Sequence, residues 1–249
     1  MSSLVKVVIP ARYGSSRLPA KPLLEINGKP IFWHVAQRVL EAGIKIANIY
    51  IATDHKEIES LAIKLNLPVV MTEKEHVSGT ERVNEVANKF GWQDDVLVIN
   101  VQGDEPLIPP TLIKRLSFFA KENSEYGMTT VATPILGYDD FVSSNVVKVV
   151  ENDVNQALYF TRSPVPYNRD NPTDFTNAKR HVGIYAYRVG TLRRLCEVPE
   201  SRLEGIEKLE QLRALSKGCV IGVLTYDGVI PHGIDIEEDF QRIKKLMEQ

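Results

Sequence analysis

Between Pro10 and Pro22 the chain reads Pro-Ala-Arg-Tyr-Gly-Ser-Ser-Arg-Leu-Pro-Ala-Lys-Pro, carrying Arg12, Arg17 and Lys21 with no acid before Glu25. Three cations in one short loop match the roughly four negative charges of a nucleoside triphosphate. Gly14, Ser15 and Ser16 are small, so backbone N–H groups there can approach an oxyanion closely. Neither G-x-x-x-x-G-K-[ST] nor G-x-G-x-x-G occurs, which excludes a Walker A loop and a dinucleotide fingerprint. On charge alone the segment also reads as a solvated basic loop. Its position after an apolar run favours the anion site, because parallel sheets gather ligands outside the carboxyl ends of their strands.

Carboxylates give the second chemical signal. Asp104 lies in Gln102-Gly-Asp-Glu105, just past a strongly apolar run. A carboxylate facing a triphosphate is repelled unless a cation stands between them, and Mg²⁺ suits that place because it binds one or two carboxylates plus phosphate oxygens and water. Asp235 precedes the last helical segment and reads equally as a second ligand or as that helix's N-cap. Ser78 and Glu81 have capping-box spacing, and the helix N-terminus they open can receive an anion or a base. Neither Cys196 nor Cys219 has metal or disulfide spacing, and His34, His55, His76 and His232 form no ligand cluster.

The elements that must position these groups follow from periodicity. Short apolar runs at Leu4 to Ile9, Asn48 to Thr53, Pro68 to Met71 and Asp95 to Asn100 read as strands. Helical spacing covers Pro30 to Ala42 (stopping at Gly43), His55 to Leu65 (with Asp54 as N-cap), Ser78 to about Phe90, and Thr111 to Glu122. Strands alternating with helices imply βαβ units and a parallel sheet. After about Gly127 the rhythm changes: Met128 to Pro134, Asn145 to Glu151, Gln156 to Thr161 and His181 to Arg188 are strand-like with little room for helices. Ser163 to Asn177, rich in Pro, Asn and Asp, reads as an exposed arm. One helix over Arg202 to Lys217, a strand over Cys219 to Thr225 and a helix over Ile236 to Met247 complete the chain. The expectation is one α/β domain over residues 1–249, a mostly parallel Rossmann-like sheet with an antiparallel insertion at about 127–190.

Composition sets limits on this. A chain of 249 residues with 43% hydrophobic and 25% charged residues is ordinary for a globular protein, and a formal charge of −2 gives no global attraction to nucleic acid or anionic membranes. No apolar run approaches the ~20 residues of a transmembrane helix, and no signal-peptide core follows the N-terminus, so a cytoplasmic location is expected.

Taken together, the strings resemble the sugar nucleotidyltransferases, and specifically the 3-deoxy-manno-octulosonate (Kdo) cytidylyltransferase family. The loop is similar to that class's R-x-G-S-x-R-[LF]-P-x-K-P element. The others are Ile51-Ala-Thr-Asp54, Ser78-Gly-Thr-Glu-Arg82, Val101-Gln-Gly-Asp-Glu-Pro-Leu-Ile108, Val147-Lys-Val149, Ala157-Leu-Tyr-Phe160, His181-Val-Gly-Ile-Tyr-Ala-Tyr187 and Leu209-Glu-Gln-Leu-Arg213. They stand in family order over nearly the whole chain. Two departures are visible: the final turn reads Pro231-His-Gly-Ile-Asp-Ile236, and Asn168 to Lys179 is shorter than in many relatives.

The resemblance implies a fold, a reaction and a set of residues. The reaction is CTP plus Kdo giving CMP-Kdo and pyrophosphate, for lipopolysaccharide synthesis. The anomeric hydroxyl attacks the α-phosphorus in line, without a covalent enzyme intermediate. Catalysis is implied for Arg12, Lys21, Asp104 and Asp235, with Mg²⁺ on Asp104 and Asp235. Nucleotide binding is implied for Ala11, Arg12, Gly14, Ser15, Lys21, Ser78, Gly79 and Arg82, the 78–82 segment meeting the cytosine. Sugar binding is implied for Gln102, Arg162, His181, Tyr185, Glu210 and Gln211. From the residues alone, His181 and Tyr185 are equally readable as core, and Glu210 and Gln211 as solvent-exposed helix positions. The resemblance also implies a homodimer formed through the second half. Rival readings are the same reaction on the 8-amino analogue of Kdo, and a non-catalytic nucleotide-binding protein on this fold.

Overall fold

The structure is a computed structural model and describes residues 5–14, 17–76 and 78–248. Leu4, Ser15 and Ser16 therefore lie outside the described residues. In chain order the elements are β1 Val5–Pro10, β2 Glu25–Ile26, β3 Lys29–Pro30, α1 Ile31–Glu41, β4 Ile49–Thr53, α2 Lys56–Lys64, β5 Val69–Met71, α3 Gly79–Lys89, β6 Leu97–Asn100 and α4 Pro110–Glu122. There follow β7 Met128–Pro134, α5 Tyr138–Val142, β8 Lys148–Glu151, β9 Ala157–Thr161, β10 Lys179–Arg188, α6 Val189–Glu197, α7 Arg202–Glu207, α8 Gln211–Ser216, β11 Ile221–Thr225 and α9 Glu237–Met247.

Nine strands form one sheet with the path β11-β7-β10-β6-β1-β4-β5, and β8 and β9 attach beside β10. From β1 the chain steps outward to β4 and β5, then returns to place β6 on the other side of β1. Strand order reverses between β1 and β6, the point at which open α/β sheets open a crevice. Val7 and Ile9 of β1 pack with α1, α2 and α4 on one face. Val8 packs with α3, α6 and α8 on the other. A strand covered on both faces must be apolar throughout, which is why β6 reads Leu-Val-Ile-Asn and is buried along its length. Each such aliphatic side chain contributes about 1.5–3 kcal/mol on burial.

The antiparallel strands expected in the second half are woven into this same sheet. Strand β10 runs antiparallel to both β6 and β7, its start also pairs with β8, and its register shifts between Val182 and Tyr185. Only the β8–β9 hairpin stands beside the main path.

Local chemistry accounts for three further differences from expectation. His55, not Asp54, caps α2, its Nδ1 accepting from the Glu57 N–H at 3.3 Å. The single helix expected over Arg202 to Lys217 is two, because Lys208 takes a left-handed conformation (φ 54°) that ends α7. The hairpin β2–β3 turns on Asn27 and Gly28 (φ 50° and 68°), the pair that suits a tight two-residue turn. No helix among the described residues is long and apolar enough to cross a membrane.

Candidate active site

Strands β1 and β6 end side by side and release their following segments into one cleft of about 230 Å³. Its walls include Arg12, Lys21, Ser78, Gly79, Arg82, Gln102, Asp104 and Asp235. Two glycines bring these walls together. A Cβ on Gly103 would run into the Pro10 carbonyl, so the glycine is needed for close approach of the two strand exits. A Cβ on Gly233 would stand 3.3 Å from the Asp104 carbonyl oxygen, where the Ile234 N–H donates at 2.9 Å to that oxygen.

The carboxylates of Asp104 and Asp235 converge, although 131 residues separate them in sequence (235 − 104). Lys21 Nζ lies 2.5 Å from Asp104 Oδ2, 3.7 Å from Asp235 Oδ1 and 2.8 Å from the Ile234 carbonyl oxygen. Arg17 reaches Asp235 from outside at 3.0 Å. Asp235 is not the cap of α9; Ile236 holds that position, and the Asp239 carboxylate accepts from the Asp235 and Ile236 N–H groups. Two carboxylates meeting around one cationic point, all donors being hard oxygens, fit a hard divalent ion such as Mg²⁺ completed by phosphate oxygens and water. No group of three or more His, Cys, Asp or Glu able to hold a metal occurs among the described residues.

Beside this pair, burial and the neighbouring Asp104 charge push the Glu105 carboxyl up to about 8. Arg12 is exposed in the cleft and has no hydrogen-bond or ion-pair partner among the described residues. Ala11 is buried, its N–H donating to the Ala52 carbonyl at 2.8 Å, and Gly14 is exposed. Ser15 lies outside the described residues.

Across the cleft, Ser78 caps α3 by accepting from the Glu81 N–H at 3.2 Å. Arg82, one turn in, is 2% exposed and bonds Asp54 at 3.2 Å, the Thr72 hydroxyl, and the Glu73 carbonyl at 3.2 Å. Asp54 in turn accepts the Tyr13 N–H at 3.0 Å. Sequence reasoning missed this role. Asp54 looked like a helix cap, and the available signal was its place at the end of β4, at the same edge of the sheet as the cleft.

The residues expected for the sugar are arranged differently. Gln102 lines the cleft. His181 and Tyr185 share a sheet face, with ring centroids 5.4 Å apart and the His181 ring bonded to Thr130 at 2.9 Å. Burial, reinforced by Arg180, pushes the His181 pKa down to about 3, so the ring is neutral. Glu210 bonds the Thr80 hydroxyl, and burial pushes its carboxyl up. It shares with Gln211 and Tyr187 a small neighbouring pocket that meets the cleft at Ser78. Both residues are therefore turned inward, against the solvent-exposed reading. Arg162 donates to the Glu207 and Ser144 carbonyls, each at 2.8 Å. Of the six, Gln102 lines the cleft and Glu210 and Gln211 line the pocket beside it, whereas Arg162, His181 and Tyr185 line neither.

A polyphosphate-sized polar cleft at the switch point of such a sheet, with loop cations facing paired aspartates, defines a nucleotidyltransferase. Residues 6–225 match the family model described as cytidylyltransferase. The chain is 44% identical to the 3-deoxy-manno-octulosonate cytidylyltransferase of Cellvibrio japonicus (strain Ueda107), covering 97% of each. It is 42% identical to the enzyme of that name from Thioalkalivibrio sulfidiphilus (strain HL-EbGR7), covering 97% of this chain and 98% of that one. A solved CMP:2-keto-3-deoxy-manno-octonic acid synthetase complexed with CTP superposes with a TM-score of 0.91 at 38% identity, over 99% of both chains. The chain belongs to the 3-deoxy-manno-octulosonate cytidylyltransferase family.

Proposed function

We propose that this protein transfers CMP from CTP to the anomeric hydroxyl of Kdo, releasing pyrophosphate, and so supplies activated sugar for lipopolysaccharide synthesis. Family membership supports the substrates. The observation that carries the chemistry is the meeting of Asp104 and Asp235 around Lys21, in a cleft where Arg12 stands unpaired.

Transfer at phosphorus demands positioning and charge neutralisation more than covalent help. Arg12 binds phosphate oxygens directly, since no carboxylate among the described residues pairs with it. Lys21 neutralises the two aspartates in the free protein and holds them at the phosphate end. Asp104 and Asp235 would hold Mg²⁺, which would supply positive charge against the phosphate oxygens. Arg82 anchors the start of α3, so that Ser78 and Gly79 present backbone groups to the cytosine. Gln102, Arg162, His181, Tyr185, Glu210 and Gln211 form the acceptor side, where the neutral His181 ring can exchange hydrogen bonds without bringing charge. Neither cysteine is used; burial pushes the Cys196 thiol up to about 12.

The test is pyrophosphate release with CTP, Kdo and Mg²⁺, repeated with a chelator and with 8-amino Kdo. Release that requires CTP and Kdo and stops on chelation is expected. No release with any 3-deoxy-ulosonate overturns the reading, and chelator-resistant release removes the metal. We further propose a cytoplasmic homodimer assembled through the second half of the chain. A monomeric mass by light scattering at micromolar concentration overturns the dimer.

A further inference from the structure

The last residue of β6, Asn100, is 0% exposed, yet neither its Oδ1 nor its Nδ2 has a hydrogen-bond partner among the described residues. A buried amide left unpaired costs about 1–3 kcal/mol, and the sequence could have placed an aliphatic residue there as it did at Leu97, Val98 and Ile99.

The surroundings indicate what the amide awaits. Nδ2 lies 3.3 Å from the point where a Cβ on Gly79 would stand, and Gln102 Nε2 lies 3.6 Å from the same point. Gly79 and Gln102 both line the cleft. In the sheet register Asn100 sits directly opposite Tyr185. The Tyr185 hydroxyl and the Gln102 amide likewise have no hydrogen-bond partner among the described residues. Asn100 and Gln102 thus come together at Gly79, the start of α3, and Tyr185 stands across the register from Asn100 and beside His181.

We propose that Asn100 is a specificity-determining residue of the acceptor subsite, its amide exchanging hydrogen bonds with a hydroxyl of the bound sugar. An amide presents a donor and an acceptor on one edge. A hydroxyl satisfies both, whereas a carboxylate, which only accepts, would leave Oδ1 unpaired. The adjacency to Tyr185 and Gln102 favours a sugar hydroxyl over a ribose hydroxyl of the nucleotide. The inference rests on the acceptor assignment made under Proposed function.

Asn100→Leu keeps the branched four-atom shape of the side chain and removes both polar atoms. The ligand-free variant is expected to melt above the wild type, because an unpaired buried amide is gone. KM for Kdo should rise at least ~10-fold, about the worth of one hydrogen bond, while KM for CTP stays within ~2-fold. A residue that only shapes the core would give the reverse, a lower melting temperature with unchanged KM for Kdo. If Asn100→Leu shows no cooperative melting transition and so has not folded, Asn100→Ser is put through the same comparison. Unchanged KM for Kdo in a folded variant, or a rise in KM for CTP instead, overturns the inference. Wild-type protein that releases no pyrophosphate with Kdo overturns the functional reading itself, and this inference with it.

Discussion

The two sides of the cleft are built in different ways. On the phosphate side, opposite charges already meet: Lys21 joins Asp104 to Asp235, and Arg82 joins Asp54 to the start of α3. On the acceptor side, the polar groups are turned into the protein or have no partner at all. Glu210 holds Thr80, Arg162 holds Glu207 and Ser144, and Asn100 holds nothing. Under the proposed function, the difference follows from the ligands. A triphosphate carries its own large charge, so its site must keep cations and carboxylates ordered before it arrives. A sugar offers hydroxyls one at a time, and each needs a protein group that is free to pair.

The sharpest way to break this comparison is at the paired aspartates. Asp104→Asn or Asp235→Asn should lower turnover at least ~100-fold, the size of effect seen on losing a key electrostatic stabiliser. Near-normal turnover in both variants would remove them from the chemistry. Arg82→Ala tests the other charged joint. It strands the Asp54 carboxylate, whose side chain is 11% exposed, and should cost about 3 kcal/mol or more in urea unfolding. An unchanged midpoint would mean that the Arg82–Asp54 pair orders nothing.

On the acceptor side the expected effects depend on pH and are small near neutrality. His181 stays neutral in the fold down to about pH 3, while the unfolded chain takes up a proton below the ordinary value of 6.5. The unfolded state therefore binds more protons across that window, and stability falls as pH drops from about 6.5 toward 3. This single group contributes up to about 1.4 kcal/mol per pH unit. His181→Gln should flatten that part of the stability profile, and an identical slope would show that the ring titrates normally. Least of all should change with Cys196→Ser, because a thiol pushed up to about 12 is no nucleophile at neutral pH. Turnover within ~2-fold of wild type is expected, and a large loss would mean that the thiol itself supports the pocket around Glu210.

Much of the phosphate side was legible in the sequence. Its loop follows a buried strand directly, and the parallel sheet places every such exit at one edge, so strand periodicity alone locates Arg12, Lys21 and Asp104. Asp54 sits at the same edge and was misread because His55, one residue on, does the capping that an aspartate usually does. The break at Lys208 was missed for a similar reason: leucines at helical spacing continue across it, and nothing in their pattern marks a left-handed residue. The acceptor side was readable only through family resemblance, since Glu210 and Gln211 occupy helix positions that look solvent-facing until α8 is seen packed on β9 and α3.

What the sequence by itself determined is the sheet with its cationic loop, because burial on both faces of β1 and β6 forces unbroken apolar runs whose ends must carry the polar chemistry. What only the tertiary structure decided is which distant carboxylate joins Asp104 and which polar side chain is left without a partner. Asp235 arrives through the Ile234 N–H bond to the Asp104 carbonyl, and Asn100 is brought against Gly79 at the start of α3. Both depend on segments far apart in the chain reaching the same few ångströms, and no local pattern records that.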